Sequence, residues 1–374
     1  MNSEGLFSRS SWEKAPVSEK KRILFWILIL WLPPILSIIL SRPLTEKVPQ
    51  IDIFQDFSFH VRNLIAVPIL LVCEKIIFRA TNELISTGLQ RGVIRKENKE
   101  NIVKFQSHLH RFQSSIVIEV LLILLSLLYV TNHLYIDFKS EVTFWKSTNS
   151  PFYAFAFWWD QWVGLTAYFF LILRWIFKFI LWISLLLKLS CSKLNLVCLH
   201  PDKIGGLSFL VQRHFLFAFV ATAISSVGSA NIASSVMYGN ITLETFYLPL
   251  GLYVTLLVGV FVLPLIFFSP LLLREKKRGK NLYGNLAFKY TENFKKKWFN
   301  QNDLNEQELL GSPDIQSLND LMGSFSQLGS MNVIPITRQT LIILISRIGI
   351  PILPLGLFKI PLPELFSLVI KHIL

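Results

Sequence analysis

Apolar and polar positions alternate along this chain in blocks rather than in a fine pattern. Six runs are long and apolar enough to predict helices that cross a bilayer: roughly 23 to 41, 64 to 78 with an extension back toward 59, 115 to 136, 157 to 180, 215 to 237, and 247 to 272. Crossing a ~30 Å hydrocarbon layer takes about 20 mostly apolar residues, because a helix rises 1.5 Å per residue. A seventh run, 339 to 357, is shorter and carries Arg347 near its middle. The stretch after it, KIPLPELFSLVIKHIL, is too interrupted to cross again and predicts an interfacial helix or a half-span. The expected fold class is all-α, a polytopic transmembrane bundle of six to seven spans.

The polar blocks divide the chain into a basic amino-terminal segment 1–22, a bundle 23–272, a basic segment 273–338, and a last span with an interfacial helix over 339–374. Inside the bundle, 79–113 predicts a helical hairpin: a continuation of span two, a turn near Gly92, and a second, charged helix. In the basic segment, 313–328 predicts an amphipathic helix. Ser312 is placed to cap it, Pro313 suits its first position, and Asp314 favours the positive end of its dipole. Ile315, Leu318, Met322 and Phe325 recur at helical spacing, which gives that helix one apolar face to bury.

Composition agrees with a lipid solvent: 52% of the 374 residues are hydrophobic and only 16% are charged. The net charge of +13 raises nucleic acid as a partner. The basic residues flank apolar runs instead of forming a stripe with stacking aromatics, so nucleic-acid binding is not expected. With the amino terminus inside, the inner segments hold 26 Lys and Arg and the outer ones 7. That asymmetry predicts a cytoplasmic amino terminus and a basic cytoplasmic face. Arg9, Lys14, Lys20, Lys21 and Arg22 precede the first span with no small-residue cleavage site after it, which predicts a retained signal anchor. Trp158, Trp159 and Trp162 read as an outer aromatic belt, and Trp175 and Trp182 as an inner one.

Candidate chemistry falls in three places. Glu74, Glu119, Arg174 and Lys178 lie inside apolar runs at similar predicted depth, and intramembrane charges are functional candidates by default. Arg174 and Lys178 stand i and i+4, hence on one helical face that both carboxylates can meet. They predict an ion or solute pathway, or a set of ion pairs holding the bundle together, with Arg347 as a possible addition. Span five, AFVATAISSVGSANIASS, is built of small residues and predicts close helix packing or a polar pore wall. The third place is His200-Pro201-Asp202-Lys203, the tetrapeptide of J-domain co-chaperones. Its flanks run out of span four and into span five, so neither is a solvated J-domain helix, and no chaperone ATPase partner is expected. The local reading is structural: Pro201 stops one segment, Asp202 caps the next, and Gly205 and Gly206 allow a tight turn. The chemical alternative is a membrane-interface enzyme in which His200 serves as acid, base or ligand and Asp202 orients it.

Four stretches together resemble an uncharacterised family of bacterial multi-pass membrane proteins with an HPD-(K/R)-x-GGL segment between two spans: FHVRNLIAVPILLVCE at 59–74, LILRWIFKFILW at 171–182, LHPDKIGGLSFL at 199–210, and SPDIQSLNDL at 312–321. The resemblance implies an integral protein of the bacterial inner membrane and no mechanism. Cys73, Cys191 and Cys198 form no metal-ligand spacing, so no metal or other cofactor is expected, and all three read as buried small hydrophobes. Expected partners are the bilayer, anionic lipids at the cytoplasmic face, and a second copy of the chain. The leading expectation is a channel or transporter for an ion or small solute. The alternative is a scaffold or regulatory subunit that binds anionic lipid or a protein through the basic face.

Overall fold

The computed structural model describes residues 19–42, 52–137, 145, 150–239, 241–299 and 312–358. The basic residues before 19 and the segment after 358, where the interfacial helix is expected, lie outside the described residues.

In chain order the α-helices are α1 (Glu19–Ser41), α2 (Phe57–Val61), α3 (Val67–Gln90), α4 (Lys99–Gln113), α5 (Ile116–Asp137), α6 (Pro151–Trp159), α7 (Thr166–Ser190), α8 (Ser208–Leu216), α9 (Ala218–Tyr238), α10 (Tyr247–Val262), α11 (Ser269–Phe299), α12 (Pro313–Gly329) and α13 (Arg338–Gly349). Two pairs are joined without a loop by π-helical turns, Arg62–Ala66 between α2 and α3 and Asp160–Leu165 between α6 and α7. A 3-10 segment, Leu263–Phe268, joins α10 to α11 where Pro264 removes a backbone donor. Among the described residues the only β feature is an isolated bridge between Ile94 and Leu194. The fold is all-α.

Among the described residues four helical stretches are long and apolar enough to cross a membrane: Lys20–Ser41, Pro151–Ser190, Ser208–Tyr238 and Leu243–Phe299. A fifth arises if Lys96–Gln113 and Ile116–Asn132, bent by 49°, act as one span. This is an integral membrane protein by that measure, with fewer apolar spans than the six to seven expected. The predicted run 64 to 78 belongs to the rod 57–90, which carries Arg62, Glu74, Lys75 and Arg79 and is not among the apolar spans. The predicted run 339 to 357 divides into the 12-residue α13 and a 3-10 segment, Leu353–Phe358. Twelve residues reach about 18 Å, well short of a bilayer.

The charged rod sits in the middle of the bundle. Its α3 part packs against α1, α4, α7, α8 and α9, and its π-turn packs against α1 and α9. A helix with charges at this density is tolerated because protein, rather than lipid, surrounds it. Small residues of α9 make the approach close: Ala218, Ala221, Ala223, Ser225, Ser226, Ser229 and Ala230 are buried, while Asn231 is exposed.

At the basic end of the bundle three connections are sewn together. Gly92 turns the chain after α3 with φ 70°. The Asn195 amide donates to the Val93 carbonyl at 2.8 Å, and the Asn195 carboxamide to Gly92 at 3.2 Å. The Asn332 amide donates to the Lys203 carbonyl at 2.8 Å. α11 crosses this knot at Gly279, where a Cβ would meet Leu328 Cδ1 at 2.6 Å and Cys198 Sγ at 2.7 Å. Gly279→Val therefore lowers the melting temperature in detergent by overpacking worth about 1–3 kcal/mol. A melt equal to wild type removes the crossing as a packing constraint.

α12 begins as its sequence indicates, with the Ser312 hydroxyl accepting from the Asp314 amide at 3.2 Å and Pro313 in its first turn. The Asp314 carboxylate lies below the ordinary aspartate range, chiefly because Lys297 donates to it at 2.6 Å. Two tryptophans depart from expectation. Trp175 and Trp182 are buried, donating to the Leu70 carbonyl at 3.1 Å and to His214 Nδ1 at 2.9 Å, so they are interior posts rather than an aromatic belt. Cys191 is likewise exposed rather than buried.

Candidate functional site

The four charges expected to meet do meet. α7 presents Arg174 and Lys178 on one face toward α3, as their i, i+4 spacing requires. Lys178 Nζ lies 2.7 Å and Arg174 Nη1 3.1 Å from Glu74 Oε1. Arg174 Nη2 reaches 3.8 Å from Glu119 Oε1 on α5. The Lys178 ammonium also sits 4.8 Å from the centre of the Trp175 ring, which supports a desolvated cation. Two carboxylates and two cations leave the cluster formally neutral, the condition under which charge is tolerated at this depth.

Glu74 is the most open of the four, with 27% of its side chain exposed against 5% for Glu119. It lines two cavities. One, of about 230 Å³, extends from Trp162 and Val163 on the π-turn along α7 through Thr166 and Phe170 to Arg174, with Arg22 of α1 at the same end as Glu74. The other, of about 60 Å³, lies toward the basic end and is lined by Thr81, Gln106, His110 and Gln113, with Lys178 on its wall. The first is mostly apolar away from its charged end, and the second brings amides and an imidazole to the far side of the same carboxylate.

Arg347 does not join this cluster. It donates to the Phe215 carbonyl and lies 4.1 Å from the Phe219 ring, where it ties α13 to α8 and α9.

The His200-to-Gly206 loop is held by its own aspartate. Asp202 Oδ1 accepts from the Ile204 and Gly206 amides, both at 3.0 Å, and Oδ2 from the Ser208 amide at 3.1 Å at the start of α8. Lys203 (φ 58°), Gly205 (φ 69°) and Gly206 (φ 93°) supply the left-handed backbone that aims these amides inward. Gly205 also needs to be small, since a Cβ would lie 3.2 Å from Leu272 and 3.3 Å from Leu196. His200 Nδ1 stands 3.2 Å from the Asp202 amide and 2.8 Å from Oδ1. Burial alone would raise the Asp202 pKa; the three amides and His200 outweigh it and hold the carboxyl below its usual range. With both oxygens accepting from backbone amides, Asp202 organises the loop and the head of α8, and its Oδ1 lies within hydrogen-bond distance of His200 as well.

A second polar centre was not singled out from the sequence. At the two π-helical turns Arg62 donates to Asp160 Oδ1, with 6% and 0% of their side chains exposed. Asn63 and Gln161, the next residue on each turn, are fully buried beside them. Gly164 leaves room for the pair: a Cβ there would sit 2.9 Å from Asp160 Oδ1. Asp160 and Gln161 stand near the start of the apolar run 157–180, and a carboxylate in such a run is the signal that points to this centre.

No family model, curated protein or solved structure matches the chain. What the fold and the two centres define is therefore a class: an all-helical integral membrane protein with paired charges buried in its bundle.

Proposed function

We infer that the protein passes an ion or small solute across its membrane, with Glu74 as the group at which the path changes side. The observation that carries this reading is that one carboxylate lines both cavities, one reaching toward Trp162 and the other toward Gln106, His110 and Gln113. Glu74 held by Lys178 and Arg174 closes the junction, and a competing ligand or a proton on the carboxylate loosens those contacts. In this reading the central rod 57–90 is a sixth crossing, shielded by its neighbours, and the basic end faces the cytoplasm. The resemblance around HPDKIGGL agrees with a bacterial inner membrane.

The test is flux of protons, sodium, potassium, chloride and small neutral solutes into liposomes carrying the purified protein. Wild type is expected to pass at least one of them, and Glu74→Gln to change that rate by about tenfold. Glu119→Gln has the smaller effect, because Glu119 lines neither cavity and acts through Arg174. Folded wild-type protein that passes none of these species overturns the reading.

One observation favours a scaffold instead. The basic α11 and its partner α12 leave Leu282, Leu286, Phe288, Ile315, Met322 and Phe325 exposed, a surface suited to anionic lipid or a protein partner. The full chain is compared in nanodiscs of anionic and of neutral lipid by proteolysis of α12. Protection by anionic lipid alone supports that reading.

A further inference from the structure

The sequences VRNLIAVP and FWWDQWVG share a device. Each opens a π-helical turn with a charged residue and follows it with a carboxamide, Arg62-Asn63 on one rod and Asp160-Gln161 on the other. A π-turn breaks the regular hydrogen-bond pattern of a helix and is frequent at functional sites.

The four side chains satisfy only part of their hydrogen-bonding capacity. Beyond the single Arg62 to Asp160 Oδ1 bond, Arg62 Nε, Asn63 Nδ2 and Gln161 Nε2 are buried donors without an acceptor. Asp160 Oδ2, Asn63 Oδ1 and Gln161 Oε1 are buried acceptors without a donor. Buried polar groups are almost always paired, so six such atoms at one depth mark a place kept polar for something other than packing. The same π-turn carries Trp162 and Val163, which line the cavity of about 230 Å³. The π-turn that holds Asp160 and Gln161 thus borders that cavity.

Charge decides what kind. Arg62 and Asp160 cancel, so an ion bound there would bring an uncompensated charge into a buried setting, and an apolar ligand would leave all six atoms as they are. Three donors and three acceptors are best met by a molecule that has both and no net charge. We propose that Arg62, Asn63, Asp160 and Gln161 form a binding site for a small, net-neutral solute carrying hydrogen-bond donors and acceptors, either an uncharged amide or a zwitterion. The site stands on these buried atoms and does not require the Glu74 cluster to conduct.

The experiment introduces Asn63→Cys and, separately, Gln161→Cys into the full chain in detergent micelles, with Leu124→Cys as an exposed control on α5. Each folded variant is treated with a small neutral thiol reagent or with charged analogues, and modification is read at that residue by mass spectrometry. The cysteines at 63 and 161 are expected to react about tenfold faster with the neutral reagent than with the charged ones. A large excess of acetamide or glycine is expected to slow them several-fold and to leave the control unchanged. Protection by acetamide alone identifies an uncharged amide as the ligand class, and protection by glycine alone a zwitterion. Cysteines at both positions that stay unmodified in folded protein, or that react unchanged in the presence of both solutes, overturn the proposal and leave a sealed ion pair.

Discussion

Asp160→Ala melts in detergent far below wild type. The substitution leaves the Arg62 guanidinium buried without its carboxylate, and breaking a buried pair on one side costs about 3–5 kcal/mol. Arg62→Met alone is expected to lose a similar amount for the mirror reason. The double variant Arg62→Met with Asp160→Leu removes both charges and recovers most of the loss, since an apolar pair of similar bulk carries no desolvation cost. The three melts are read under one detergent and one ionic strength. If the double variant is as unstable as the sum of the singles, the pair is not coupled in the way its contact implies.

Asp202→Ala is the second large effect. It leaves the amides of Ile204, Gly206 and Ser208 without their acceptor in a loop whose left-handed backbone was organised around it. Hydrogen bonds to a charged acceptor and the loss of a helix cap together give about 2–4 kcal/mol, reduced from the simple sum because water reaches part of the loop. Asp202→Asn costs less, since one oxygen still accepts from Ile204 and Gly206 while the nitrogen faces the Ser208 amide. The native carboxyl titrates below its unfolded value of about 3.9. Its contribution is thus fully present above that value and is lost as pH falls through the lower native one. The gap between wild type and Asp202→Asn therefore stays constant from neutral pH down to about pH 5 and narrows below about pH 4. A gap that widens on acidification would mean that another group governs the loop.

The inner cluster was readable because its signals are local: Arg174 and Lys178 share a helical face by spacing alone, and Glu74 and Glu119 stand out in apolar runs. The centre at Arg62 and Asp160 was hidden by boundaries. Arg62 counts as a loop residue when span two is started at Leu64, and Asp160 and Gln161 are absorbed by the Trp-rich start of the run 157–180. The π-turns that align them leave no periodic trace in five or six residues. Depth misleads for tryptophan as well, because Trp175 and Trp182 have the spacing of an interfacial belt and the burial of a core. The span count differs for a related reason: hydropathy recognises helices that face lipid, whereas the rod 57–90 faces protein on several sides and is free to carry charge.

The bond from the Asn332 amide to the Lys203 carbonyl joins residues about 130 positions apart. At translation rates of about 5–20 residues per second, the Lys203 loop waits on the order of ten seconds for that partner to be made. During this interval Gly279, Leu328 and Met331 are still to come, and the loop's contacts with the turn at Gly92 are the ones already available. Biogenesis of this end is thus staged: the partners of the first half of the knot are made well before those of the second, which latches only once the chain has grown past Asn332.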